Sequence, residues 1–330
     1  RRRVRLRAAV RLTRPFTLLP PLLGILSGAV CAFGSVHNPD RAHRVTPELL
    51  GIVALGAVCA SLLNAASNVL NQITDLEVDR INKPDRPLVT GEVALRSAWR
   101  LTGALYALAI VPTWWIVVPA LEGPMARALA PVPAHQCFFL FLGGLVATFI
   151  YSVPAFGRTK RLGIWANITI AVPRGTLLKV AGWTLVASAF TSEPWAIGGL
   201  FGLFLLGASS TKDFSDAAGD RAGGCETLPV KYGNRKAVAM ISPFFVFPWL
   251  LLAGLAWAKD PLVPERRLLS GNPWLLTALG LLLATWGAYT VHLLRRNPDE
   301  LATTENHPSW THMYLMLMCA QVGFALAYVL

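Results

Sequence analysis

Asn71, Asp75 and Asp79 stand four residues apart, and Asp213, Asp216 and Asp220 follow at spacings of three and four. In a helix four residues advance about 400°, so the first set drifts only about 40° per step and lies on one stripe roughly 12 Å long. Asn68 falls on the same side, and the second set also shares one face. Five of the nine aspartates in the chain belong to these two clusters. Hard carboxylate oxygens suit Mg²⁺, which takes one or two carboxylates together with waters and substrate phosphate oxygens. Cations interleave with the acids: Arg80, Lys83 and Arg86 after the first cluster, Lys160 and Arg161 in mid-chain, Lys212 and Arg221 around the second. Metal on some oxygens and Lys or Arg on others is a pattern that grips a diphosphate. The competing reading is solvated loop acid beside ordinary flanking charge. Two striped clusters weigh against it more than one would.

The elements that must position these groups are apolar. The chain of 330 residues is 54% hydrophobic and 15% charged, with mean hydropathy +0.49. Carboxylates on such a membrane chain are expensive, so their concentration implies a task. Spanning the hydrocarbon takes about 20 apolar residues. Runs of that kind lie near 16–36, 49–70, 98–119, 134–153, 163–190, 195–211, 237–258, 273–294 and 310–330. The sequence therefore predicts one all-α, polytopic membrane domain over 1–330, with about nine transmembrane helices, since spanning backbone must satisfy its own hydrogen bonds. The net charge of +12 is not a nucleic-acid signal. Lys and Arg concentrate in 1–14, 80–100, 158–161, 212–236 and 295–296, while the opposite side holds only Arg41, Arg44, Arg127, Lys259, Arg266 and Arg267. That asymmetry puts the N-terminus in the cytoplasm and the C-terminus outside, with basic charge also meeting membrane lipids. The N-terminal run RRRVRLR leads into a retained first helix, not a cleaved signal. The five cysteines read as small buried hydrophobes. Trp99, Trp115, Trp165, Trp195, Trp274 and Trp310 read as an aromatic belt.

With this topology the connections 71–97, 154–161 and 211–236 share the cytoplasmic face and form a cap over the helical bundle, whereas the outer connection 121–133 carries no comparable cluster. Each acid cluster ends an outward-to-inward span, a faint sign of duplication. Arg174 and Lys179 interrupt the fifth span beside Pro173 and Gly175. Intramembrane cations face the bundle interior and act on something there, and a bend at Pro173 would let freed backbone groups line the same cavity.

These residues match a family. The run from 68 to 88, NVLNQITDLEVDRINKPDRPL, resembles the first aspartate-rich motif of the UbiA superfamily of intramembrane prenyltransferases, and KDFSDAAGDRAGGCETLPVKYG, from 212 to 233, resembles the second. The stretch YSVPAFGRTKR, from Tyr151, resembles the family's tyrosine and basic pair after the fourth helix, and Arg14-Pro15 is similar to its first-span start. The matches spread along most of the chain, and nine helices is the family count. The resemblance implies a bundle around a central cavity with two Mg²⁺ ions, one on Asn71, Asp75 and Asp79 and one on Asp213, Asp216 and Asp220. It implies diphosphate contacts from Asn68, Asn71, Arg14, Arg86, Tyr151, Lys160, Arg161 and Lys212. Many members read Asn-Asp where this chain reads Asn71-Gln72; position 72 is about 100° off the stripe, so the metal site is expected to survive.

The expected activity is Mg²⁺-dependent transfer of a polyprenyl group from an isoprenoid diphosphate to a lipophilic acceptor. Family acceptors range over phenolic acids, quinone precursors, chlorophyllides, haem and glycerol phosphates. A membrane terpene cyclase would use the same ionisation without an acceptor. A cation transporter would use the acids as ion sites, yet here they sit at span ends, and transport sites usually lie near the midplane.

Overall fold

The computed structural model describes residues 2–118, 131–304 and 307–330. Most of the connection 121–133, with Arg127, and the expected end of the third span lie outside the described residues. Within them no β-strand forms, and one isolated bridge pairs Lys259 with Arg267. The helices are α1 (Arg2–Thr13), α2 (Leu19–Gly34), α3 (Pro47–Thr74), α4 (Leu76–Asn82), α5 (Leu95–Ile110), α6 (Gln136–Ser152), α7 (Ile164–Ala171) and α8 (Leu178–Trp183). They continue with α9 (Ser192–Ala208), α10 (Asp213–Ala222), α11 (Leu228–Tyr232), α12 (Asn234–Ile241), α13 (Pro243–Leu255), α14 (Pro273–Arg296) and α15 (Pro308–Val329).

Six helical stretches among the described residues are long and apolar enough to cross a membrane: Arg7–Gly34, Pro47–Thr74, Ser192–Thr211, Asn234–Leu255, Pro273–Arg296 and Pro308–Val329. Gln136–Ser152 is a shorter apolar helix. The protein is an integral membrane protein; among the described residues six of the nine expected spans reach that length and apolarity as unbroken helices, and others fall short for local reasons. The third, Leu95–Ile110, tightens into a 3₁₀ turn at Val111–Trp115, where Pro112 removes an amide donor. The fifth does not bend open at Pro173. It passes instead through a π-helical stretch, Val172–Leu177, where the amide of Leu178 bonds the carbonyl of Pro173. The widened turn absorbs the proline, and α7 and α8 continue on either side.

Two large apolar cores and a smaller one, of Leu12, Val69, Ile73, Leu88 and Ala98, hold the bundle. In one of the large cores, Phe201 and Phe204 of α9 pack on Phe245 and Trp249 of α13 and on Phe324 of α15. The rings of Phe204 and Trp249 lie 5.2 Å apart, and those of Phe201 and Phe324 5.4 Å. In the other, Ile25, Ala57, Tyr106 and Phe141 join α2, α3, α5 and α6. Helices α2 and α8 meet closely because a Cβ on Gly28 would stand only 2.9 Å from the Cα of Gly182. Small residues allow that backbone approach, the usual basis of helix packing in lipid. At the end of the bundle away from the aspartates, buried Glu193 accepts from the amide of Ser270 at 2.5 Å and from the Tyr328 hydroxyl, tying α9, α15 and the 256–272 connection together.

Candidate active site

At the other end the three polar connections converge. Helix α4 packs on α10, Arg158 and Lys160 reach Asp75, and the amide of Glu226 bonds the carbonyl of Arg161 at 3.2 Å. Beneath this cap lies a cavity of about 680 Å³. Its capped end is lined by Asn71, Asp75, Asp79, Asp213, Asp216 and Asp220. Its deep end is apolar, with Ala60, Leu63, Leu140, Phe141, Leu178 and Ala181. Along α3, Ala60 to Asp75 is roughly 20 Å at 1.5 Å per residue.

The first acid cluster is not one straight stripe. Helix α3 ends at Thr74, Asp75 leaves helical geometry at φ −103° and ψ 12°, and α4 resumes at Leu76. The amide of Asp75 still bonds the carbonyl of Asn71 (2.9 Å), and that of Asp79 the carbonyl of Asp75 (2.7 Å), so the kink keeps all three side chains on the cavity. Each has a protein partner. Asn71 Oδ1 accepts from the Ser152 hydroxyl. Asp75 accepts from Lys160 and, at 3.1 Å, from Arg158, and Asp79 accepts from Arg86. Asp79 is only 5% exposed, and burial raises its pKa despite the opposing pull of Arg86. Burial also pushes the Lys160 ammonium down to about 8.

The second cluster rides on α10, and its three carboxylates share the cavity face, as the spacing predicted. Asp216 lies 3.4 Å from Lys83, an ion pair that crosses between the two acid helices. Asp213 and Asp220 have no ion-pair partner within 4 Å among the described residues. Burial, then the charge of Asp220, lifts Asp213 to about 7; burial, then the charge of Asp216, lifts Asp220 to about 6. Carboxylates so close together resist ionising together unless a cation joins them. The hydroxyl of Thr227, on the same wall, is buried and faces Asp220.

Among the described residues no three His, Cys, Asp or Glu side chains stand together as a ready metal cage. The acids are spread around the wall instead. That donor set fits Mg²⁺, which dehydrates reluctantly and takes few protein ligands beside water and phosphate.

The remaining expected site residues divide. Asn68, Arg14, Arg86, Tyr151, Lys160 and Lys212 all line the cavity. Asn68 also donates to the Thr13 carbonyl at 2.9 Å and to the Thr17 hydroxyl at 2.8 Å. Gln72 donates to the Leu12 carbonyl at 2.7 Å, anchoring α1. Arg161 is exposed and off the cavity wall, because the 3₁₀ turn at Thr159–Arg161 sends Lys160 inward and its neighbour outward. Arg158 reaches Asp75 instead. It follows Gly157 in the left-handed region at φ 43°, a conformation costing on the order of 1 kcal/mol in a non-glycine residue. Arg14, at φ 51°, is held likewise. Of the two intramembrane cations, Arg174 lines the cavity from the π-helical stretch. Lys179 does not: it is 2% exposed, donates to Ser27 Oγ and Gln321 Oε1 at 2.6 Å each, and sits 4.6 Å over the Phe201 ring. Trp310, read from sequence as belt, also lines the cavity, with Lys212 5.1 Å over its ring, while the other five belt tryptophans include Trp115 and Trp274 at 71% and 72% exposure. Arg158 and Trp310 carried only a weak sequence signal, since both fall where flanking charge and interfacial rings are ordinary.

Comparison with known proteins now bears on this geometry. The profile of the UbiA prenyltransferase family matches residues 18–318. The chain is 32% identical over 286 residues to a probable homogentisate phytyltransferase 2, chloroplastic, of Oryza sativa subsp. japonica, covering 84% of this chain and 68% of the relative. It is 27% identical over 317 residues to the bacteriochlorophyll synthase 34 kDa chain of Chloroflexus aurantiacus, covering 96% and 90%. Among solved structures, a UbiA homologue from Archaeoglobus fulgidus bound to DMAPP and Mg²⁺ superposes with a TM-score of 0.66 at 21% identity, covering 98% of this chain and 99% of that one.

Proposed function

Because this chain belongs to the UbiA prenyltransferase family, we propose that it transfers a polyprenyl group from an isoprenoid diphosphate to a lipophilic acceptor, using Mg²⁺. One observation carries the reading: two acid helices and a set of cations meet at the capped end of a cavity whose deep end is apolar. The polar end suits a diphosphate and the apolar end a tail. Roughly 20 Å of wall accommodates several isoprene units.

Asn71, Asp75, Asp79 and the aspartates of α10 would hold two Mg²⁺ ions. The metal, when bound, supplies Lewis-acid neutralisation of the diphosphate as the allylic C–O bond breaks. Lys160, Arg158 and Arg86 donate to diphosphate oxygens, exchanging the carboxylates they now hold for a more highly charged anion. Arg14 and Lys212 face the same volume. Apolar walls exclude water from the allylic cation, and the rings of Trp310, Tyr151 and Tyr314 offer it negative faces. The acceptor's proton passes to the departing diphosphate or to a carboxylate of the wall. The whole chain acts as one membrane unit with the capped end toward the cytoplasm, the side on which its Arg and Lys concentrate.

The test is diphosphate release by purified protein with Mg²⁺ and geranylgeranyl diphosphate. Release should be slow alone and much faster with one acceptor from a panel of homogentisate, a chlorophyllide and a glycerol-phosphate lipid, with the prenylated acceptor seen by mass spectrometry. Full-rate release without acceptor and a hydrocarbon product would make it a cyclase. Undiminished release in EDTA would exclude the metal-dependent route. For orientation, a cysteine at Glu92 should be shielded from impermeant reagent in intact cells and one at Arg41 should react; the reverse pattern inverts the topology.

A further inference from the structure

A second hollow, of about 410 Å³, opens beside the capped end, well apart from the catalytic residues in sequence. Arg235 enters it from α12, and Arg295 and Arg296 from the last turn of α14, with Val238, Ala239 and Pro298 as its apolar lining. The three arginines are exposed, and none joins an ion pair or hydrogen bond among the described residues. Positive charge at span ends is an ordinary topology signal, and Arg295 and Arg296 sit favourably against the negative end of their helix. The second reason does not cover Arg235. It lies in the first turn of α12, where the helix dipole disfavours a cation and favours an anion. Three like charges from two helices around one hollow repel one another unless an anion joins them.

We infer that this hollow is a binding site for a phosphate anion at the membrane surface, with the chemistry of an anionic phospholipid headgroup. Val238 and Ala239 lie about one helical turn further into the span Asn234–Leu255 than Arg235, the order of charge and apolar surface that basic pockets between membrane helices use. The site also touches the catalytic framework. Pro298 leads into the turn Glu300–Ala302, which packs against α10 and buries Leu301. An anion held here braces the back of the helix that carries Asp213, Asp216 and Asp220.

Native mass spectrometry of the delipidated full chain, given equal phosphatidylglycerol and phosphatidylcholine, reads the site directly. Wild type should retain one phosphatidylglycerol, preferred by at least about fivefold, the gain expected for each cation near an anionic headgroup. The triple variant R235Q/R295Q/R296Q should bring the ratio close to one, while R96Q/R100Q, which removes two exposed arginines elsewhere on the same side, should leave it unchanged. Equal retention of both lipids by wild type, undiminished selectivity in the triple variant, or an equal loss in R96Q/R100Q would overturn the proposal. Should the triple variant not fold, R235Q alone reads the same selectivity, and an unchanged ratio overturns it equally. Inorganic phosphate separates the sources. Displacement of phosphatidylglycerol by phosphate supports a site for the free anion, and retention of the lipid in its presence supports the headgroup.

Discussion

The two acid helices meet in one cavity but bring opposite electrostatic conditions to it. Around α4 every acid already has a partner: Asp75 holds Lys160 and Arg158, and Asp79 holds Arg86. On α10, Asp213 and Asp220 have no ion pair among the described residues and carry raised pKa values, about 7 and about 6. The first cluster must give up protein cations to bind metal and diphosphate. In the second, Asp216 holds Lys83, but Asp213 and Asp220 have no ion pair to give up among the described residues. One side therefore works by exchange and the other by filling a deficit, so equal chemistry in sequence becomes unequal energetics in the fold.

Removing an acid from each side should expose that difference. Asp213→Asn and Asp75→Asn should each lower turnover by about a thousandfold, because one metal ligand contributes several kcal/mol of transition-state stabilisation. Their stabilities in EDTA should move in opposite directions. D75N strands Lys160 and Arg158 and should lower the melting midpoint, whereas D213N removes a carboxylate that resists ionising and should keep or raise it. A parallel fall in both midpoints would erase the contrast between the clusters.

The cations are the next place to break the comparison. Lys160→Gln should weaken binding of the isoprenoid diphosphate by about 10- to 100-fold, the loss of one charge-assisted hydrogen bond. Arg161→Gln, exposed and off the cavity, should change it by less than about threefold. Titration of donor binding decides. Equal losses would show that flanking charge, not the inward turn at Lys160, does the gripping.

pH gives a subtler contrast. A carboxylate whose folded pKa is raised contributes stability that is complete below its ordinary range and lost as pH rises through the folded value. For Asp213 that value is about 7. In EDTA the melting midpoint should therefore fall as pH rises from about 4 to about 7 and level off above that, and Mg²⁺ should flatten the fall by supplying the missing charge. D213N should flatten it without metal. A slope unaffected by either change would remove the deficit from α10. The smallest effect is expected at the bridge between the regions. Lys83→Gln breaks the 3.4 Å contact with Asp216, and for a single partly buried pair open to solvent the loss should be about 1 kcal/mol in denaturant unfolding.

Much of this site was legible before the fold. Spacing put Asp213, Asp216 and Asp220 on one face, and α10 keeps them there, because one short helix obeys its own periodicity. Spacing misjudged Asn71, Asp75 and Asp79 only at the kink, because the end of α3 depends on what packs beyond it. Nine spans were expected and six unbroken stretches qualify among the described residues, since hydropathy runs do not register a 3₁₀ turn at Val111, a π turn at Val172 or the short length of Gln136–Ser152.

The sequence by itself determined the membrane class, the acid motifs and the family, because these rest on composition and local spacing, which each segment carries alone. Only the tertiary structure decided which cation meets which acid. Lys160 turns inward and Arg161 outward in adjacent positions, Arg158 reaches Asp75 from a left-handed backbone, and Lys179 is spent on Ser27 and Gln321 while Arg174 lines the cavity. Those outcomes depend on side chains brought together from distant helices, where a rotation of one turn residue reverses what a charge faces. No one-dimensional pattern encodes that rotation.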